Sequence, residues 1–320
     1  MAQVATNSNQ PAVSIIGVGN MGGGMASNLL SRGYTVYVHD IDPAKASFYH
    51  QKGAKVQANT AQAAIKSIVT IICVVDALQT HELLFGAQNL AHQLPAGHTV
   101  MLCPTMAPAD VEQCAAKLAA RGVQTIDAPM SGGPARATDG SMSLMVACPN
   151  QLFQLHHRLL NDLSSKVFHI SEHPGDGART KLVNNLLAGI NLVGAAEVMV
   201  LAKRMGLDLN TTLNVIEQSS GQSWIGSDRM RRALVADYEP RAHMGLLAKD
   251  TALAVASFQA NPPTQINSPV AIESHFEKNT NLDYIGPLGA IVANVFNQAI
   301  KSGLGSQDDA ALFKYLQEFR

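Results

Sequence analysis

A cluster of five glycines between Gly17 and Gly24 constrains this 320-residue chain more than any other feature. It follows a short apolar run that begins at Val13, and it precedes a run with helical periodicity. In a strand–turn–helix unit, the spacing GxGxxG permits a tight turn, close approach of a pyrophosphate and close packing of helix on strand. The helix N-terminus then faces the phosphates. The pattern predicts a dinucleotide site at Gly17, Gly19, Asn20, Met21 and Gly22.

An acidic residue, Asp40, ends the second apolar run, 18 residues after Gly22. A carboxylate at this position can accept hydrogen bonds from the adenosine ribose hydroxyls, and it repels a 2′-phosphate. No arginine follows directly, because the next residues are Ile41, Asp42 and Pro43. We therefore expect NAD rather than NADP as the cofactor.

Up to about residue 170, short β-branched runs alternate with longer runs of helical periodicity. The predicted strands are Val13–Gly17, Thr35–His39, Ile68–Val75, Thr99–Cys103, Gln124–Ala128, Ser143–Ala147 and Lys166–Ile170. The predicted helices between them are Met21–Arg32, Pro43–Lys52, Ala61–Lys66, Ala109–Arg121 and Asn150–Asp162. Such alternation is typical of an α/β fold with a doubly wound parallel sheet that is covered on both faces.

The strand pattern stops near Gly175, and only helical periodicity follows. The predicted helices there are Lys181–Met205, Asn210–Ser219, Ser227–Val235, Leu246–Gln259, Asn267–Asn279 and Gly286–Ser302. We therefore predict a disordered tail over residues 1–11 and a Rossmann domain over residues 12–175. An all-α domain for substrate binding and oligomerisation is predicted over residues 176–320.

Composition and residue spacing argue against nucleic-acid and membrane partners, an oxidising compartment and a metal site. A formal net charge of −1, with scattered basic residues, gives no reason to expect nucleic acid or an anionic membrane surface. The four cysteines have no CxxC spacing, which is typical of a reduced, cytoplasmic compartment. The apolar stretch from Leu186 to Ala202 is interrupted by Asn191 and Glu197, so we interpret it as a core helix rather than a membrane span. No metal is expected, because the eleven histidines lack a spacing such as HExxH.

Two further motifs carry polar groups. The segment DAPMSGG leaves a predicted strand and presents Ser131, Gly132 and Gly133, whose hydroxyl and backbone N–H groups suit a carboxylate, although an ordinary turn has the same spacing. In the segment GDGARTKLVNN, Lys181 and Asn185 stand four residues apart and would share one helix face. A partly buried lysine could exchange a proton with an alcohol, whereas a solvated lysine at a helix start would have no such role.

Together these motifs resemble the β-hydroxyacid dehydrogenase family, which includes 3-hydroxyisobutyrate dehydrogenase. The motifs GVGNMGGGMASNLL, DAPMSGG, GDGARTKLVNNLL and AKDTALA appear in the family's order, and the resemblance extends from Val13 to about Ala310. It implies that Lys181 is the catalytic proton donor and acceptor and that Asn185 holds the substrate near it. It also implies that Ser131, Gly132 and Gly133 bind the substrate carboxylate. The cofactor contacts that it implies are Val74, Val75, Thr105 and Lys249.

The segment Ser219–Pro240 resembles the branch of this family that includes L-threonate dehydrogenases. Trp224, the only tryptophan, could form a wall of a pocket for a polyhydroxylated acid, or it could pack in the core of the helical domain. Two residues depart from the common family pattern: Pro104 stands in place of a serine, and Met130 stands in place of a valine.

The expected function is NAD-dependent oxidation of a small β-hydroxy acid, or of a 2-hydroxy sugar acid, to the keto acid or semialdehyde. The substrate is expected in a cleft against the helical domain. The alternatives are reduction of a semialdehyde or imine with NAD(P)H, and a dinucleotide-binding scaffold without turnover. The apolar stretch Leu182–Met205 predicts a subunit interface, hence a homodimer or homotetramer.

Overall fold

The computed structural model describes residues 11–260 and 287–318. Their contacts divide the chain into two compact units, with the division between Lys181 and Leu182. Except for Pro11, the tail predicted over residues 1–11 lies outside the described residues, as does the predicted helix Asn267–Asn279.

The first unit contains a nine-stranded sheet. Its strands are β1 Val13–Ile16, β2 Val36–His39, β3 Lys55–Val56, β4 Val69–Ile72, β5 Thr99–Leu102, β6 Gln124–Asp127, β7 Met130–Ser131, β8 Ser143–Ala147 and β9 Lys166–Ser171. The order is β3-β2-β1-β4-β5-β6-β8-β7, with β9 beside β8. The first six strands in this order pair in parallel, which confirms the predicted doubly wound sheet.

The sheet departs from the prediction beyond β6. Strand β8 runs antiparallel to β6 and to β7, so the sheet is not parallel throughout. The short strands β3 and β7 were not predicted, because two residues are too few to show an alternating pattern.

Helices cover both faces of this sheet. They are α1 Asn20–Ser31, α2 Pro43–Gln51, α3 Thr60–Ala64, α4 Ala77–Phe85, α5 Leu90–Gln93, α6 Pro108–Ala119, α7 Gly133–Asp139 and α8 Asn150–Leu163. One apolar core joins the sheet to α1, α7 and α8, and a second core joins its other face to α4, α5 and α6. Helices α4, α5 and α7 were not among the examples of helical stretches named from the sequence.

The long helix α9 Asp176–Arg204 begins at the predicted domain boundary and continues into the second unit. The remaining helices are α10 Leu209–Glu217, α11 Trp224–Leu234, α12 Met244–Ala260, α13 Pro287–Ala299, a π-helix Ile300–Leu304, a 3₁₀ helix Asp309–Ala311 and α14 Leu312–Glu318. The second unit has its own apolar core around Leu192, Met199 and Phe296. Within the described ranges its regular elements are all helical, as predicted.

Candidate active site

The carboxyl ends of the parallel strands bring most of the predicted cofactor residues to one edge of the sheet. Five residues at the strand ends lie side by side in register: His39, Ile16, Ile72, Leu102 and Asp127. The glycine segment and the segment 73–75 follow directly after β1 and β4, and Thr105 lies three residues after the end of β5. Ligands of open α/β sheets bind at this edge, where the strand order reverses.

Glycine occupies the three fingerprint positions for different structural reasons. Gly17 has a φ of +88°, and a Cβ there would lie 2.7 Å from the Cys73 carbonyl oxygen. A Cβ on Gly22 would overlap the Gly17 carbonyl oxygen, so the start of α1 can pack on the turn only without one. A Cβ on Gly19, in contrast, would have no atom within 4 Å, and α1 begins after Gly19 without a side-chain cap. This open approach to a helix N-terminus fits the pyrophosphate of a dinucleotide.

The Asp40 carboxylate is hydrogen-bonded to the backbone of the glycine segment and of its own turn. Its Oδ2 accepts a hydrogen bond from the Val18 backbone N–H at 2.7 Å, and its Oδ1 accepts one from the Asp42 N–H at 2.8 Å. Each carboxylate oxygen has a second lone pair, so the group can still accept from a ribose hydroxyl. Lys45, the nearest following cation in the sequence, has its Nζ 3.8 Å from Asp42.

Large apolar side chains are exposed in the segments that follow β2 and β4. Ile41 is 91% exposed, Leu78 is 78% exposed and Val75 is 51% exposed. Ile41 was not predicted from the sequence as a site residue, because side-chain exposure is not visible in a sequence. The Val75 backbone N–H donates to Gln79 Oε1 at 3.0 Å, so that donor already has an internal partner.

The predicted carboxylate-binding segment lies between β7 and α7. Ser131 is half-buried and belongs to β7, where it pairs with Ser143. Gly132 and Gly133 then turn the chain into α7 with φ values of 134° and 76°. The segment therefore has the glycine-dependent turn that the sequence predicts, although Ser131 itself is a strand residue.

Helix α9 carries the predicted catalytic lysine. Lys181 is only 7% exposed, so the solvated alternative is wrong. The helix starts against the carboxylate of Asp127, which is 1% exposed. Burial raises the pKa of Asp127 to about 6, although the hydrogen bonds that it accepts oppose this shift.

In the second unit, polar side chains of α9 and α12 form a connected network. Asn185, 9% exposed, donates from Nδ2 to Asp250 Oδ2 at 2.7 Å and accepts at Oδ1 from Asn184 Nδ2 at 3.0 Å. Lys249 Nζ lies 2.8 Å from Asp250 Oδ1. Lys249 of the AKDTALA motif was predicted from the sequence as a site residue. Asp250, which joins Lys249 to Asn185, was not.

Trp224 begins α11 and is 46% exposed, so it is not a core residue. The Arg229 guanidinium lies 5.9 Å from the centre of its ring. Arg229 itself is not a surface ion pair, because its side chain is 11% exposed and pairs with Asp309 and Asp228.

The predicted site residues thus fall into two sets. The first unit carries the glycine segment, Asp40, the 73–75 segment, Thr105, the Ser131–Gly133 turn and Lys181, and the second carries Asn185, Trp224 and Lys249.

Over residues 11–260 and 287–318, no group of three or more His, Cys, Asp or Glu side chains could hold a metal ion. Helix α9 has the length and apolar composition of a membrane span, and 44% of its apolar window is buried inside the protein.

Two family models match the chain. Residues 12–171 match the NAD binding domain of 6-phosphogluconate dehydrogenase. Residues 175–266 match a model described as NAD-binding of NADP-dependent 3-hydroxyisobutyrate dehydrogenase.

Individual relatives match over almost the whole length. The L-threonate dehydrogenase of Haemophilus influenzae is 33% identical over 95% of this chain and 94% of its own. The 3-hydroxyisobutyrate dehydrogenase of Pseudomonas aeruginosa is 32% identical over 78% of this chain and 85% of its own. A crystal structure of 3-hydroxyisobutyrate dehydrogenase from Salmonella typhimurium superimposes with a TM-score of 0.83 at 31% identity, covering 96% of this chain and all of that one.

Proposed function

Because this chain belongs to the 3-hydroxyisobutyrate dehydrogenase family, we propose that it oxidises a small hydroxy acid with NAD and that Lys181 is the general acid and base. The family relationship confirms the predicted enzyme class, a dehydrogenase of hydroxy acids, and an NAD(P) cofactor. The observation that carries the proposed mechanism is the burial of Lys181 near the start of α9, one helical turn before the buried Asn185.

The first unit supplies the cofactor site of this proposal. The N-terminus of α1 and the open approach at Gly19 receive the pyrophosphate. Asp40 accepts from the adenosine ribose, and its charge disfavours a 2′-phosphate, which supports NAD. Ile41, which follows Asp40 directly and is exposed, would offer an apolar side chain to the adenine. When bound, NAD would supply the acceptor for the hydride that leaves the carbinol carbon of the substrate.

The chain's own polar groups bind the substrate and move its proton. The hydroxyl of Ser131 and the N–H groups of Gly132 and Gly133 bind the substrate carboxylate. The neutral amine of Lys181 takes the hydroxyl proton as the carbonyl forms, and it returns a proton in the reverse reaction. Asn185, with its amide held by Asp250, orients the substrate hydroxyl.

We propose a polyhydroxylated acid of the L-threonate type as the substrate class. Two features support it: the resemblance of Ser219–Pro240 to the threonate branch, and the similarity of the whole chain to L-threonate dehydrogenases. The half-exposed ring of Trp224 offers an apolar wall for the carbon chain of such an acid.

The test is initial-rate oxidation of L-threonate, glycerate and 3-hydroxyisobutyrate with NAD and with NADP, for wild type and Lys181→Ala. Loss of proton transfer should lower kcat about 10²–10⁴-fold for the acid that reacts. Lys203→Ala is the matched control, because Lys203 is an exposed lysine on the same helix and should leave kcat unchanged.

Three outcomes contradict parts of this proposal. If Lys181→Ala folds and keeps the wild-type kcat, the lysine is not the proton carrier. Oxidation of 3-hydroxyisobutyrate but not L-threonate would rule out the threonate class. Binding of NADH without turnover of any acid in either direction would favour a dinucleotide-binding scaffold.

The proposal includes association of the chain into a homodimer or homotetramer. Four apolar residues of α9 and the residue that follows the helix are separated by 3, 4 or 11 positions and are each 45–66% exposed: Val183, Leu187, Val198, Leu201 and Met205. An apolar stripe of this length on a helix surface is a typical protein–protein contact, and a second copy of the chain covers an identical stripe about a two-fold axis.

We also propose a cytoplasmic location. All four cysteines are free thiols, and three of them are buried, as expected for a protein of a reducing compartment. Fractionation of the native host cells, followed by immunodetection, tests this; recovery in the periplasmic or membrane fraction would contradict it.

A further inference from the structure

The buried carboxylate of Asp127 lies between the sheet and the helix that carries Lys181. We propose that Asp127 is a positioning residue: it fixes the first turn of α9 and thereby holds Lys181 where it can reach the substrate hydroxyl. This inference rests on the proposed role of Lys181. All the contacts that support it lie within the first unit.

The Asp127 carboxylate accepts hydrogen bonds from backbone N–H groups of Gly175, Gly177 and Ala178 at the helix start. Its Oδ2 accepts hydrogen bonds from the Gly175 N–H at 2.8 Å and from the Ala178 N–H at 3.1 Å. The first N–H groups of a helix have no partner within the helix, so this carboxylate supplies one. Lys181 follows Ala178 by three residues, so the position of its side chain is set by the turn that Asp127 holds.

Gly177 makes this close contact possible. A Cβ on Gly177 would lie 2.9 Å from Asp127 Oδ2 and 2.7 Å from the Met145 carbonyl oxygen. Any other residue would therefore push α9 away from β6 and β8. Gly177 and Asp127 together determine the distance between the start of α9 and the sheet.

Burial disfavours the charged form of Asp127. Burial raises its pKa to about 6, and Asp176, Cys103 and Cys148 are the titratable groups that interact with it. A buried carboxylate costs folding free energy unless it is well compensated. The exposed cap Asp208 of α10 shows the contrast, because the backbone N–H of Thr211 lowers its pKa. We infer that Asp127 is buried for geometry rather than for stability.

The experiment compares Asp127→Ala and Asp127→Asn with wild type, using the hydroxy acid that reacts fastest. Asp127→Ala should lower kcat about 10- to 100-fold, the effect of a misplaced reacting group, while the Kd for NADH stays unchanged. The primary isotope effect with carbinol-deuterated acid should rise, because hydride transfer becomes rate-limiting. Asp127→Asn should recover most of the activity, since an amide oxygen can replace the Oδ2 that accepts from the Gly175 and Ala178 N–H groups.

Arg179→Gln is the matched control on the same helical turn. Arg179 pairs at the surface with Glu112 and Asp176, and exposed pairs of this kind contribute little, so its kcat should stay at the wild-type value. If Asp127→Ala does not fold, Gly177→Ala replaces it and should show the same fall in kcat with unchanged Kd for NADH.

The outcomes separate this inference from the proposed function. If Lys181→Ala keeps its activity, the proposed function is wrong whatever the Asp127 variants show. If Lys181→Ala is inactive while a folded Asp127→Ala or Gly177→Ala keeps the wild-type kcat, only the positioning role is overturned. An Asp127→Asn variant as slow as Asp127→Ala would also overturn it, because the acceptor oxygen would then not be the operative group.

Discussion

At the scale of single residues, Asp40 combines a structural and a proposed ligand-binding role. Its two oxygens hold the Val18 and Asp42 N–H groups, and the same carboxylate faces the position of the adenosine ribose in our proposal. Sequence reasoning predicted the second role from the spacing to the glycines. It could not predict the first, because the hydrogen bond to Val18 depends on how the ends of β1 and β2 meet.

Replacing Asp40 should change cofactor preference. In Asp40→Asn the amide oxygen keeps one backbone hydrogen bond, while the negative charge that disfavours a 2′-phosphate is lost. We expect the ratio of kcat/KM for NAD to that for NADP to fall about tenfold, which corresponds to about 1.4 kcal/mol. Steady-state kinetics with both cofactors measures this ratio.

Asp42→Asn is the control for that comparison. Asp42 is the neighbouring exposed carboxylate, caps α2 and pairs with Lys45, so its loss should leave the ratio unchanged. An equal fall in both variants would mean that general negative charge, rather than Asp40, discriminates between the cofactors.

At the scale of elements, a buried ion network fixes α11 to the 3₁₀ helix in the second unit. Arg232 lies 2.7 Å from Asp308, which is fully buried, and Asp308 also accepts backbone N–H groups from Arg241 and Ala242. Arg229 pairs with Asp309, whose pKa burial raises to about 6. Local sequence could not predict this network, because Asp308 lies 67 residues after Arg241 in the chain.

Removing one partner of this network should be costly. Arg232→Met leaves Asp308 as a buried charge with one partner fewer, and we expect the free energy of unfolding to fall by about 3–5 kcal/mol. Urea denaturation followed by circular dichroism measures this change.

The adjacent Arg231 provides the control. It pairs with Glu217 at the surface, so Arg231→Met should cost about 1 kcal/mol or less. Equal losses in the two variants would show that burial does not determine the contribution of these pairs.

At the scale of the whole molecule, the chain forms two units that share one helix, α9. One face of this helix contributes Leu192, Ala196 and Met199 to the core of the second unit, and another face exposes the apolar stripe. Hydropathy alone could not separate these two faces, because the sequence of α9 is apolar almost all round. The packing of α9 in the second unit determines which of its apolar residues remain exposed, and these form the proposed contact with a second copy of the chain.

Charges on the stripe should break the proposed oligomer. Leu187→Glu combined with Leu201→Glu would bury carboxylates in an apolar interface, so we expect a shift from oligomer to monomer. Sedimentation velocity at micromolar concentration measures the change.

Leu155→Glu is the control, because Leu155 is an apolar residue of the first unit with 68% exposure. It should leave the oligomer intact. A wild-type protein that sediments as a monomer would contradict the proposed association directly.

The sequence by itself determined the alternation of strands and helices in the first unit, the dinucleotide fingerprint and the helical second unit. These follow from short-range patterns: residue periodicity, glycine spacing and the position of one acidic residue. Only the tertiary structure decided the antiparallel strand β8, the burial of Lys181 and Asp127, and the hydrogen bond between Asn185 and Asp250. Asp127 meets its helix 48 residues further along the chain, and Asn185 meets Asp250 after 65. Partners this far apart leave no periodic signal, because their meeting depends on how whole elements pack.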